Sequence, residues 1–284
     1  MKNFIAWTLA VLITLTAVVY QRMTGPTNPK RVEFRLDENE YKLRFPRSLE
    51  TTLTLENYRY IADYNEVKIK ISAEDAPAMV VYYKVYPGGD TLIKTEAAYD
   101  GDYYIFNLPS QPPAGKLIYY PLLKCENGEE VLIEKEEGLI VRFKSPVPAW
   151  ALVPHVLLMF IAMLLANYTA FAALFFKNRA VRYSLLVIIT MGVGGLIFGP
   201  IVQNYAFGAY WTGWPFGGDL TDNKTLFAFI VWVVAWLMNR KRSLRYLFVI
   251  AALVTLLVYS IPHSTAGSEF DHEKGVVVTG RTQN

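Results

Sequence analysis

The sequence predicts a helical membrane protein with five transmembrane helices and an all-β sandwich inserted between the first two. Hydrophobic residues make up 53% of the 284-residue chain, a high share for a soluble protein, and they collect near the start and in the second half. Residues 31–144 instead have the Tyr-, Val-, Glu- and Lys-rich composition of a soluble domain, so two solvents are implied. That middle segment alternates apolar and polar residues with period two, whereas the flanking runs are continuously apolar.

The first apolar run, residues 4–20, follows Lys2 in the manner of a signal sequence. It is longer than a usual signal core, and its exit, Val18-Val19-Tyr20-Gln21-Arg22, offers no small-x-small cleavage site, so residues 1–22 read as an uncleaved anchor. Further spans are expected at residues 150–176, 183–202, 225–238 and 244–261. The turns at 177–182 and 239–245 carry Lys177, Arg179, Arg182, Arg240, Lys241, Arg242 and Arg245, whereas residues 203–223 contain no Lys or Arg. The positive-inside rule therefore puts both basic turns and the N-terminus in the cytoplasm of a cell membrane. It puts the sandwich (31–145), the aromatic loop (203–224) and the C-terminal tail (263–284) outside, around a four-helix membrane domain of residues 147–262. Arg22, Lys30 and Arg31 oppose this order, but folded domains translocate despite their charges.

The span at 225–238 is short. About fourteen residues at roughly 1.5 Å each cover about two-thirds of a bilayer core, so part of the aromatic loop is expected to sink to interface depth. Irregular backbone survives there only against protein or beside a cavity. In the preceding span, Gly192, Gly195 and Gly199 share one helical face and predict close approach of a neighbouring helix.

Within the β domain, alternation is clearest at residues 41–45, 67–71 and 140–143, with further β-rich runs at 79–86, 103–108 and 117–123. Turn chemistry separates them at Pro87-Gly88-Gly89-Asp90, Asp100-Gly101-Asp102, Pro112-Pro113-Ala114-Gly115 and Glu126-Asn127-Gly128, which predicts seven or so strands. The stretch from Asp102-Tyr103-Tyr104-Ile105-Phe106 to Leu117-Ile118-Tyr119-Tyr120 resembles the late strands of fibronectin type III and immunoglobulin-like domains, where a Tyr pins a corner. That resemblance implies a module that binds, spaces or braces.

Several function classes fall away. A net charge of +3, with its basic clusters beside apolar runs, gives no nucleic-acid surface. The single cysteine, Cys125, excludes an internal disulfide and covalent haem attachment. No span carries Asp, Glu, Lys or His at its middle, which argues against a proton-coupled transporter. The chain also lacks Gly-x-Ser-x-Gly, His-Glu-x-x-His and a Walker loop, so an ordinary hydrolase or ATPase is not expected, although whether it catalyses anything stays open.

What remains is one layer at the outer face. His155 follows Pro154, His263 follows Pro262, and His272 lies in Ser268-Glu269-Phe270-Asp271-His272-Glu273. Two imidazoles at helix ends beside an aromatic loop are what axial ligation of a planar apolar cofactor needs. The loop, with Trp211 and Trp214 running into Gly217-Gly218-Asp219-Leu220-Thr221-Asp222-Asn223-Lys224-Thr225, resembles the tryptophan-rich loop of cytochrome c assembly and haem-handling membrane proteins. That resemblance implies non-covalent haem b held by His155, His263, Trp211, Trp214 and Asp219. Gly218 before the Asp and Leu220-Thr221 after it depart from the family, which has Trp and Pro-Lys-Glu there. A second reading gathers Asp219, Asp222, His263, Asp271 and His272, with Glu269 nearby, as a divalent-metal site. The plain alternatives are interfacial anchoring by the aromatics, helix capping by Thr221 or Asp222, backbone-bonded imidazoles and solvated carboxylates. The expected function is an extracytoplasmic binding protein for haem or a cytochrome. The alternatives are an envelope scaffold recruiting another membrane or extracytoplasmic protein, and a metal-dependent membrane enzyme, with membrane lipid a partner in every case.

Overall fold

The computed structural model describes residues 1–25, 27–36, 39–71, 76–125, 128, 130–134, 137–262 and 267–278. They form a helical unit built on Met1–Gly25 and Val147–Ser268, and a β unit of Pro26–Pro146 with Glu269–Val277.

The β unit contains β1 (Lys30–Leu36), β2 (Asn39–Phe45), β3 (Ser48–Glu50), β4 (Tyr64–Lys70), β5 (Ala78–Tyr86), β6 (Ile93–Glu96), β7 (Ala98–Tyr99), β8 (Tyr103–Pro109), β9 (Lys116–Lys124), β10 (Glu130–Leu132) and β11 (Leu139–Lys144), then β12 (Glu269–Asp271) and β13 (Val276–Val278). One sheet runs β3-β11-β9-β5-β6 with β10 on the side of β9, a second runs β4-β8-β7, and β1-β2 and β12-β13 pair separately. Among β1–β11 the described pairs are antiparallel except β3 with β11. Burial follows the pleat, which sends successive side chains to opposite faces. Val67 and Ile69 of β4, Tyr104, Phe106 and Leu108 of β8, and Leu139, Val141 and Phe143 of β11 are buried, and residues of both sheets meet in one apolar cluster. Two tyrosines in it use their hydroxyls to tie distant backbone: Tyr104 donates to the Pro77 carbonyl at 2.5 Å and Tyr119 to the Pro46 carbonyl at 2.9 Å.

Every β-rich run in the sequence becomes a strand. The short strands and the β12-β13 hairpin have no comparable pattern. That hairpin draws part of the expected tail into the β unit: Phe270 N–H donates to the Ala114 carbonyl at 3.2 Å, and its ring meets Tyr58 edge-on at 5.0 Å.

The helical unit comprises α1 (Lys2–Thr24), α2 (Ala149–Phe175), α3 (Lys177–Met191), a π-helical turn over Gly192–Phe198, α4 (Gly199–Phe207), α5 (Leu220–Lys241) and α6 (Tyr246–Ser260). Among the described residues, four helices are long and apolar enough to cross a membrane: Lys2–Thr24, Ala149–Phe175, the continuous Arg179–Phe207, and Leu220–Lys241. The apolar α6 has 15 residues, about 22 Å against a core of about 30 Å. Length by itself thus supports four of the five expected crossings, and the fifth rests on the shorter α6.

One expectation is overturned here. α5 starts at Leu220 and runs for 22 residues, about 33 Å, so it needs no sunken loop to complete its length. Hydropathy hides its first turns because Thr221, Asp222, Asn223 and Lys224 are polar. They are helical because Asp219 caps them, its Oδ1 accepting from Thr221 N–H at 2.7 Å and from Asp222 N–H at 3.4 Å. The cap is therefore Asp219, not Thr221 or Asp222, and the irregular loop shrinks to residues 208–219.

Polar pins order the bundle. α1 is tied to α2 by Asn167 Nδ2 donating to Thr14 Oγ1 at 3.0 Å and by Trp7 stacked on Tyr168 at 4.0 Å. α5 is tied to α6 by Trp232 Nε1 donating to Thr255 Oγ1 at 2.8 Å. The glycine stripe works as expected at Gly195, where an added Cβ would lie 2.8 Å from Thr225 Cγ2 on α5. The π turn shifts the faces, so Gly194, absent from the predicted stripe, makes the tighter approach, 2.7 Å from Leu158 Cβ on α2.

Candidate functional site

The aromatic loop is built around two buried carboxylates. Asp219 Oδ2 accepts from Ser268 N–H at 3.1 Å and Ser268 Oγ at 3.2 Å, and Thr212 Oγ1 lies 3.2 Å from both Asp219 Oδ2 and Asp222 Oδ2. Asp222 Oδ2 accepts from Thr212 N–H at 2.7 Å. With the Gln203 amide turned to suit its neighbours, its nitrogen donates to the two Asp222 oxygens at 3.0 and 3.2 Å. Buried carboxylates require such donors, and here they come from α4, the loop and the segment after α6.

The same framework fixes the loop tip. Asn223 Oδ1 accepts from Trp214 N–H at 2.6 Å, and Trp211 Nε1 donates to the Trp214 carbonyl at 3.1 Å. Tyr210, Trp214 and Phe216 project outward while Thr212, Asp219 and Asp222 are buried beneath them. Gly213 packs so closely that a Cβ would sit 2.6 Å from Asp222 Cβ and 2.8 Å from Asn223 Oδ1. Gly213→Ala should therefore destabilise the helical unit by about 1–3 kcal/mol, read as a lower unfolding temperature in detergent with the change in tryptophan emission.

A second feature lies at the end of the bundle where α1 and α6 finish and α2 and α5 begin. A cavity of about 100 Å³ is lined by Gln21, His155, Met159, Lys224, Thr225 and Tyr259, among others. His155 Nδ1 lies 2.8 Å from the Gly194 carbonyl in the π turn. With Nδ1 donating, Nε2 keeps its lone pair. Lys224, only 7% exposed, donates from Nζ to the Ile261 carbonyl at 2.6 Å. Gln21 Nε2 donates to the Tyr259 carbonyl at 3.1 Å, and the Tyr259 hydroxyl donates to the Met159 carbonyl at 3.0 Å.

The predicted site residues are thus divided. Asp219 and Asp222 join in one hub, Trp211 and Trp214 belong to the loop it braces, and His155 instead lines the cavity. His263 lies outside the described residues. Asp271 and His272 belong to the β unit, where Asp271 Oδ1 accepts from Glu273 and Lys274 N–H at 3.0 and 3.1 Å and closes the β12-β13 turn. Burial lowers the pKa of the His272 imidazole against the opposing charges of Asp271 and Glu269. Glu269 makes an ion pair with Lys116 at 3.6 Å, and burial lowers that ammonium's pKa. Among the described residues, no three His, Cys, Asp or Glu side chains gather as a metal site would require.

Sequence reasoning missed Thr212, Gln203, Ser268, Gln21, Lys224 and Tyr259. Only Lys224 left a signal, as a cation at the mouth of an apolar helix. No protein-family model matches the chain, and no curated protein matches it.

Proposed function

We propose that this is a non-catalytic membrane binding protein whose ligand site is the cavity beside His155 and Lys224, at the outer end of the helix bundle. In this reading α6 completes a fifth crossing, the basic turns lie in the cytoplasm, and the β unit is an immunoglobulin-like sandwich on the outer side, available to another membrane or extracytoplasmic protein. The sandwich assignment is supported by two sheets sharing one core. The tyrosine ties depart from that family's local corner bond, since each spans tens of residues.

The observation that carries the function is the presence of a buried ammonium and an oriented imidazole around one void at the end of the bundle. Ionisable groups are costly in such surroundings and mark functional sites by default. A haem-handling version has one specific feature in its favour: an imidazole whose Nδ1 is held by a backbone carbonyl presents Nε2 as a metal ligand would. Against it, about 100 Å³ is well below the roughly 300–1,000 Å³ of sites that enclose drug-sized ligands. A porphyrin would have to rest at the mouth, with Trp211, Trp214, Asp219 and His263 as its further contacts.

Both versions are tested by what copurifies with the chain in mild detergent. A small amphiphile seen by native mass spectrometry, lost in Gln21→Trp, is the expected result. A Soret band that disappears in His155→Ala or His263→Ala would establish the haem version instead. A chain that carries neither would overturn the site.

A further inference from the structure

We infer that the cavity takes the carboxylate head of a lipid-borne acid, with Lys224 as its counterion. This rests on the cavity being the ligand site.

The argument starts from Lys224. An ammonium has three N–H donors, and the Ile261 carbonyl takes one of them. None of the described residues forms an ion pair with it, and the carboxylate that acts on it electrostatically, Asp219, already has its oxygens engaged by Thr221, Thr212 and Ser268. A charge that is 93% buried, with two donors left over, calls for an acceptor that brings its own negative charge.

The other lining groups narrow the class. Thr225, Tyr259 and Gln21 each spend a donor on backbone carbonyls, at 2.9, 3.0 and 3.1 Å. Among the described residues, no carboxylate lines the cavity to repel an anion or hold a metal cation. The volume, about 100 Å³, exceeds what a single water needs and leaves room for a carboxylate. A phosphate, carrying more charge and more oxygens, would find one cation where it needs several. The remaining wall is apolar, with Val156, Met159, Phe160 and Val258, and Val156 stands 37% exposed beside the strongly exposed Leu152 and Leu157 of α2. An acyl chain attached to the head has that apolar flank to follow into lipid.

The test is native mass spectrometry of the full chain in detergent, titrated with oleate, oleyl alcohol or acetate. Oleate should bind one per chain, at least about tenfold more tightly than the alcohol, which is the size of one charge-assisted hydrogen bond lost. Lys224→Met should reduce that preference to about twofold or less. If Lys224→Met does not fold, the oleate-to-alcohol ratio on the unaltered chain decides the question by itself. Equal binding of acid and alcohol would overturn the carboxylate assignment while leaving the cavity a ligand site. Acetate binding as tightly as oleate would overturn the lipid-borne part. Binding of none of the three would remove both the inference and the site beneath it.

Discussion

Replacing Asp219 with Ala should destabilise the helical unit by about 3–5 kcal/mol, the largest effect expected of any single substitution in the loop. Loss of the α5 cap contributes about 1 kcal/mol. The rest comes from donors that lose their buried acceptor, because Ser268 N–H and Oγ both converge on Oδ2. Asp219→Asn keeps one side-chain oxygen and should recover the cap but not the whole hub, so about half the loss. Thermal unfolding followed by circular dichroism and by tryptophan emission measures both variants. The hub model also requires the half-buried Trp211 to become exposed before the helices melt in Asp219→Ala. A loss below about 1 kcal/mol would mean that Asp219 does no more than cap a helix.

In the β unit, Tyr119→Ala should cost about 4 kcal/mol. The ring is fully buried between Phe45 and Phe106, each about 6.3 Å away between centroids, and its hydroxyl meets the Pro46 carbonyl at 2.9 Å. Tyr119→Phe keeps the ring and removes the hydrogen bond, so it should cost about 1 kcal/mol. The pair also gives a test in pH. Burial raises the phenol's pKa well above its usual 10.0, so the folded chain keeps the proton where the unfolded chain releases it. The stability tied to that proton is full below pH 10.0 and declines as pH rises above it toward the folded value. The unaltered chain should therefore lose stability more steeply than Tyr119→Phe above that point, as measured by denaturant midpoints. Parallel slopes would show that Tyr119 ionises freely.

Much of the architecture could be read from residue order. Period-two runs such as Val67-Lys68-Ile69-Lys70-Ile71 became strands with their apolar positions buried, because a pleated chain has one geometry and only one face to hide. The long apolar runs became helices for an equally local reason, the need to satisfy backbone groups within the segment. Reading failed where polar residues were kept helical or buried by partners distant in sequence. Asp222 and Lys224 looked like loop residues, and hydropathy began the helix only after them; Gln203, Thr212, Asp219 and Ser268 supply the donors and the cap that the first turn needs. The β12-β13 hairpin was illegible for a related reason. Its three-residue strands carry no period of their own and are held by contacts such as Phe270 with Tyr58 and Ala114.

The sequence by itself determined which segments shun water and which alternate, and hence that the chain has a helical part and a β part. It could not determine that Gln21, His155, Lys224 and Tyr259 surround one void, because they come from four helices and meet only when those helices pack. Nor could it supply the orientation of His155, which depends on a carbonyl in the π turn at Gly194. Backbone preference acts between near neighbours, whereas a site is an agreement among side chains far apart in the chain, and only the packed fold brings them within reach of one another.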